Sequence, residues 1–280
     1  MSFISGEGKR GRFKPALTRW CLHNQAEHWS VEKICRTAVE LGVPALEVVP
    51  LEDFALLKKY GLASALTNSH MFVRGMNNPL HWDECLSKLE AAIKANAEMG
   101  FPNVVTFTGF ADTSVPEPGA GPGSVVTWEE GLRHCVEGYK KIVGLAEKKQ
   151  VTLCLETLNS RDGADMKGHP GYQGDHIDFC LNVIHRVGSP ALKLLFDVYH
   201  LQIMDGDLIR RIGTLRGMIG HVQVAGVPGR GEIGADQEIN YPPVMRALAD
   251  IGYNGYVGLE FIPTRDALSS LREALAILDV

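Results

Sequence analysis

Three apolar runs are each broken by one carboxylate near the C-terminal end: Glu156 in LCLETLN, Asp197 in LLFDVYH and Glu260 in VGLEFIP. A fourth run, GHVQVAG, carries two polar side chains two residues apart, His221 and Gln223. Alternate residues of a strand share a face, so His221 and Gln223 point together while Val222 and Val224 point the other way. The same alternation sends Leu155, Phe196, Val198, Leu259 and Phe261 to one side and Glu156, Asp197 and Glu260 to the other. On neighbouring parallel strands closed around one axis, the three acids and Gln223 meet near one depth, with His221 one layer below as a core histidine. Crowded carboxylates repel one another and resist desolvation, and a divalent cation removes both penalties. Three acid oxygen sets and one amide suit a hard ion, Mg2+ or Mn2+, with Co2+ and Zn2+ as alternatives; an amide in place of an imidazole makes the set less attractive to Zn2+. The competing reading pairs each acid with a lysine or arginine at the rim.

Such convergence needs a parallel barrel, and the chain supplies its units. From Ala16 onward, eight strand-like runs (16–22, 45–50, 64–70, 103–109, 151–159, 192–200, 218–226 and 255–263) alternate with helical patterns at 30–42, 51–60, 81–99, 127–149, 176–187, 206–216, 241–251 and 267–279. Ser30 and Thr127 stand where N-caps belong, and Gly42, Gly61, Gly100 and Gly252 where helices end in a left-handed residue. Eight successive βα units predict a single α/β domain, a (β/α)8 barrel over 16–280, behind a loose N-terminal arm at 1–15. An open doubly wound sheet is the rival, but no GxGxxG turn follows the first strand. The long connections 110–126 and 160–175 follow strands and so belong to the catalytic face, as lids or as surface insertions.

A net charge of -5 over 280 residues and a pI near 6.1 offer no basic field to nucleic acid. No apolar run approaches the roughly 20 residues of a membrane-spanning helix. The six cysteines lack CxxC spacing and read as reduced core residues, and the opening MSFISGEGKRGRFKP lacks the apolar stretch of an export signal. The expectation is a cytoplasmic protein with a small-molecule partner, no nucleic acid and no membrane; a homo-oligomer stays open.

The segments LETLNSR, KLLFDVYHLQIMDGDLIRRI, IGHVQVAGVPGRGEI and QEINYPPVMRALADIGYNGYVGLEFIP, in this order, resemble the hydroxypyruvate isomerase-like members of the xylose isomerase-like sugar isomerase/epimerase superfamily. The resemblance implies a metal held by Glu156, Asp197, Gln223 and Glu260, proton transfer between adjacent substrate carbons by Glu156 and Glu260, and substrate contacts from His200 and Arg230. It implies an isomerase of hydroxypyruvate or a similar small carbonyl compound, with a ketose 3-epimerase or a keto-sugar or inosose dehydratase or lyase as alternatives on the same site. Two departures stand out: some relatives carry His-x-His where this chain has His221-Val222-Gln223, and a histidine often follows PGR where this chain has Gly231. Chemistry of this kind needs a base for the proton beside a carbonyl and an acid for its neighbour, which two carboxylates supply. Arg230 suits a substrate carboxylate, and His200, just past its strand, suits a substrate oxygen. His70 is expected to line the pocket, Glu47 to orient other groups, and Trp20, Phe72 and Phe107 to pack or to wall the substrate. A non-catalytic sugar-binding barrel would not need both Glu156 and Glu260. An abasic-site endonuclease would need more convergent histidines and a DNA-binding surface.

Overall fold

The computed structural model describes residues 13–111 and 125–279. The expected arm therefore lies almost wholly outside the described residues, as do positions 112–124 of the first long connection. Eight parallel strands close into a barrel in the order β1 to β8: Lys14–Thr18, Ala45–Val49, Ala63–Thr67, Asn103–Thr106, Thr152–Glu156, Leu192–Asp197, Ile219–Val224 and Tyr256–Leu259. The helices are α1 Arg19–His23, α2 Val31–Glu40, α3 Phe54–Tyr60, α4 Trp82–Met99, α5 Trp128–Lys140, α6 Val143–Lys149, α7 Ile177–Val187, α8 Val198–Met204, α9 Leu208–Thr214, α10 Tyr241–Asp250 and α11 Ala267–Leu278.

Local chemistry explains the boundaries. Ser30 accepts the Lys33 N–H ahead of α2, and Thr127 and Glu130 form a reciprocal capping box ahead of α5. Gly42, Gly61, Gly100 and Gly252 all take the left-handed conformation that ends a helix, with φ from 68° to 79°. The pattern at 127–149 is not one helix: after Tyr139 the backbone tightens to three-residue bonds at Lys141 and Ile142 before α6 begins. Gly138 and Gly144 weaken helix propensity on both sides of that break.

Leu155, Phe196, Val222, Val224, Leu259 and Phe261 are buried among the helices, the side that alternation assigns them. Inside the barrel, Ala16, Ala45 and Ala65 make a narrow apolar group, and a separate cluster contains Leu66, Val105, Cys154 and Leu195. All six cysteines are buried and unpaired, in line with their reading as core residues. Among the described residues no helix is long and apolar enough to cross a membrane.

Every strand but β2 stops at least two residues short of its apolar run. The residues beyond leave the regular ladder, although isolated bonds continue it, as from the Glu260 N–H to the Val224 carbonyl and from the Asn68 N–H to the Val49 carbonyl. Val198 and His200 thus belong to α8 and Trp20 to α1, not to strands. At the other end β1 starts at Lys14, two residues before the expected barrel boundary, pairing Lys14 with Tyr256 and Pro15 with Val257.

Candidate active site

Asp197 ends β6 and caps α8. Its Oδ1 accepts the Tyr199 and His200 N–H groups at 2.7 and 3.2 Å, which leaves Oδ2 facing the barrel mouth. The β6–β7–β8 register places Asp197 beside Gln223 and Gln223 beside Gly258. Glu156 pairs with Leu195, lower on β6, and strand tilt brings it level: ligand atoms of Glu156, Asp197 and His200 all lie within 4.8 Å of one another.

The Glu156 carboxylate is buried and receives no protein hydrogen bond among the described residues. Burial, reinforced by the charges of Glu260 and Asp197, raises its pKa well above the usual carboxylate range. Glu260, one residue past β8, is anchored at both oxygens: Trp20 Nε1–H donates to Oε1 at 2.8 Å and Arg230 Nη2–H to Oε2 at 2.6 Å. Burial pushes its pKa up to about 8, against the opposing pull of Arg230. Asp197 is also raised by burial, with Arg230 again opposing.

Arg230 is buried in a left-handed conformation at φ 60°. Its Nη1–H donates to the Met166 carbonyl at 2.6 Å, and its guanidinium lies 4.9 Å from the Trp20 ring and 5.5 Å from the Tyr199 ring. The fork that the sequence suggests for a substrate carboxylate is thus engaged with Glu260 and Met166.

His200 presents a defined tautomer. The Asn159 backbone N–H donates to its Nδ1 at 3.0 Å, so the neutral ring carries its proton on Nε2, a buried atom without a partner 3.6 Å from Asp197 Oδ2. Burial pushes its pKa well down, which keeps it neutral. His200 therefore faces the acids as a hydrogen-bond donor, not as a lone pair for a metal. His70 lines the same cavity, but both its nitrogens are spent: Nδ1–H donates to the Arg74 carbonyl at 3.1 Å, so Nε2 accepts from the Thr106 hydroxyl at 2.9 Å. Its place is in the wall, without a free nitrogen for substrate.

Gln223 donates from Nε2 to Glu47 Oε1 at 3.2 Å, while its buried Oε1 has no partner. His221 sits on the inner face two residues before it on β7, its Nε2 2.5 Å from Glu47 Oε2, in accord with a core role. With all three acids ionised, one guanidinium would leave two negative charges uncompensated, the charge of a divalent cation. The free Glu156 carboxylate, Asp197 Oδ2 and the orphaned Gln223 oxygen are the oxygen donors such an ion takes, and Glu260 joins them if Arg230 releases one of its oxygens.

The site opens into a cavity of about 340 Å³ walled by Trp20, Phe72, Phe107 and His169. His169 is a residue that sequence reasoning missed. It is buried, makes no side-chain hydrogen bond among the described residues, and its ring centre lies 4.1 Å from that of Phe72 at a tilt of 44°; burial lowers its pKa to about 3. It sits in the aperiodic loop 160–175, where only its polarity could have marked it.

Comparison with known proteins agrees with this architecture. The chain is 32% identical over 183 residues to a putative hydroxypyruvate isomerase of Homo sapiens, a stretch covering 65% of this chain and 62% of that protein. It is 36% identical over 118 residues to a 2-oxo-tetronate isomerase of Cupriavidus necator, covering 42% of this chain and 43% of the relative. The crystal structure of a family 2 AP endonuclease from Brucella melitensis superposes with a TM-score of 0.77 at 23% identity, over 94% of this chain and 98% of that one, a likeness of fold. A model of the family described as xylose isomerase-like TIM barrel matches residues 31–279, and the chain belongs to that family.

Proposed function

We propose that the protein is a divalent-metal-dependent sugar isomerase that moves a carbonyl between adjacent carbons through an enediol, acting on hydroxypyruvate or a similar small sugar-derived compound. The observation that carries this reading is the pair of buried carboxylates, Glu156 and Glu260, lining one cavity, with Asp197 beside Glu156. The hydroxypyruvate and 2-oxo-tetronate isomerases among the relatives support it.

Glu156, Asp197, Gln223 and Glu260 would hold the ion, with Mg2+ or Mn2+ suited to their oxygens. A divalent ion there supplies polarisation of the substrate carbonyl and compensation for the negative charge of the enediol. Glu156, the carboxylate without protein partners, takes the proton from the carbon beside the carbonyl, and Glu260 delivers one to the neighbouring carbon. His200 Nε2–H donates to the substrate oxygen on which charge grows, and the uncommitted His169 imidazole contacts a hydroxyl. The aromatic wall excludes water from the enediol.

A second reading, a ketose 3-epimerase, is favoured by one feature. Both arginines of the cavity wall are already paired, Arg19 with Asp53 at 2.5 Å and Arg230 with Glu260, so an uncharged sugar meets no demand for a free cation. Dehydration or lysis of a keto-sugar or inosose would begin with the same proton abstraction.

Incubation of the Mn2+-supplemented protein in D2O with hydroxypyruvate, 2-oxo-tetronate and a panel of ketoses, read by NMR, separates these outcomes. The isomerase reading expects deuterated aldehyde or keto product; deuterium at one carbon without carbonyl migration favours the epimerase, and loss of water the dehydratase. Glu156→Gln should lower turnover by about 10²- to 10⁴-fold. Full activity in that variant, or no exchange with any compound in the wild type, contradicts the enolisation reading.

A further inference from the structure

We infer that Glu47, which lies outside the cavity wall, is a positioning residue that turns the Gln223 amide so that its oxygen faces the acid layer, an inference that rests on the cation-site reading above. Glu47 is completely buried on β2. Its carboxylate is surrounded by donors: Thr18 Oγ1–H to Oε1 at 2.5 Å, His221 Nε2–H to Oε2 at 2.5 Å, and Gln223 Nε2–H to Oε1 at 3.2 Å.

A carboxylate oxygen without a proton only accepts, whereas an amide has one donating end and one accepting end. The reverse amide orientation would set two acceptors against each other in the buried interior of the barrel. Glu47 therefore selects one rotation of Gln223, and in that rotation Oε1 is the atom left without a partner, beside Asp197 in the β6–β7 register. A neutral amide is a weak ligand, and holding it in the binding orientation before a cation arrives removes an ordering cost.

Two features of the backbone serve this placement. Gly258 leaves open the space that the carboxylate crosses: a Cβ built there would fall on Glu47. The register of β2 against β3 slips on both sides of Glu47, and the next residue, Val48, takes a left-handed conformation at φ 51°, which a β-branched residue adopts only when the surroundings impose it. That irregularity lets Glu47 reach the core of the barrel while Val48 lines the cavity immediately after it.

Mn2+ titration of the chelator-stripped protein, with free Mn2+ followed by electron paramagnetic resonance, tests the inference. Glu47→Leu should weaken binding by about 10- to 100-fold. In a Gln223→Glu background, where either carboxylate oxygen can serve, the same change should produce no comparable loss, and Glu47→Gln, which keeps an acceptor for the amide, should remain close to wild type. Equal losses in both backgrounds, or none in the first, overturn the positioning role. A wild type that binds no Mn2+ instead defeats the cation-site reading, and a separate readout then still judges Glu47. In the metal-free, 15N-labelled wild type, the Gln223 side-chain NH2 should exchange slowly with solvent; exchange as fast as that of surface glutamines overturns the inference without recourse to any variant of Glu47.

Discussion

Asp197 shows how one side chain serves fold and chemistry together. One oxygen caps α8 and so fixes His200 in its first turn, while the other faces the site with His200 Nε2–H beside it. The accepting Nδ1 makes His200 a donor, which leads to a split in behaviour: His200→Ala should lower kcat by roughly 10²- to 10³-fold, the scale of losing one donor to developing charge. The Mn2+ affinity of the stripped variant should match wild type; a parallel loss of affinity would show that His200 is a ligand. At this scale the sequence was informative where alternation applies. Glu156, Asp197, Gln223 and Glu260 face inward because each sits at an even spacing within a strand or its direct extension. Contacts that come from elsewhere left no such trace. Trp20 reaches Glu260 across 240 positions of chain, Arg230 comes from a loop, and His169 lies where no period exists.

At the scale of elements, the eight strands and their order were legible, because each buried strand is an apolar run between turn signals. Their C-terminal ends were not. LCLETLN and KLLFDVYH continue as apolar runs through residues that leave the ladder, since a rim residue can be buried by loops and helices as thoroughly as by a neighbouring strand. For His200 the difference matters: on a strand its side would follow from alternation, whereas in α8 it follows from the Asp197 cap. The Gly258 position in β8 reads in sequence as a weak spot in a strand, and its purpose appears only when Glu47 crosses to it from β2. Gly258→Ala should therefore destabilise the protein by roughly 1–3 kcal/mol, the range for overpacking an interior. Urea unfolding measures this, and an unchanged midpoint would mean that the space is not needed.

For the whole molecule, the buried titratable groups set how stability depends on pH. Glu156, Asp197 and Glu260 have folded-state pKa values above their ordinary ones, Glu260 near 8, so these three groups hold more protons in the metal-free folded protein than in the unfolded chain up to that pH. Their contribution is full at low pH and is lost as pH rises through the folded values. His70 and His169, lowered to about 4 and about 3, and His200, also lowered, act oppositely, destabilising the fold as pH falls below their ordinary 6.5. As pH rises from 6.5 towards 8 the histidine contribution fades and the carboxylates come to set the slope, so the metal-free Tm should fall across the upper part of that window, and saturating Mn2+ should remove the fall by holding the acids ionised. Differential scanning fluorimetry at several pH values reads this, and a Tm that rises with pH without metal would reverse the sign and reject the assignment. The fold class and the three acids with their amide neighbour were thus available from the chain alone; the charge balance was not, because it depends on Arg230 entering the site. The central claim is that this corner of the barrel binds a divalent ion. Its most direct measurement is calorimetric titration of Mn2+ into the stripped protein at pH 7, in two buffers of different ionisation enthalpy. The account predicts one saturable site per chain, release of protons on binding, and an affinity weakened more than about tenfold by Glu156→Gln. Absence of saturable binding, or an affinity that Glu156→Gln leaves unchanged, would contradict it.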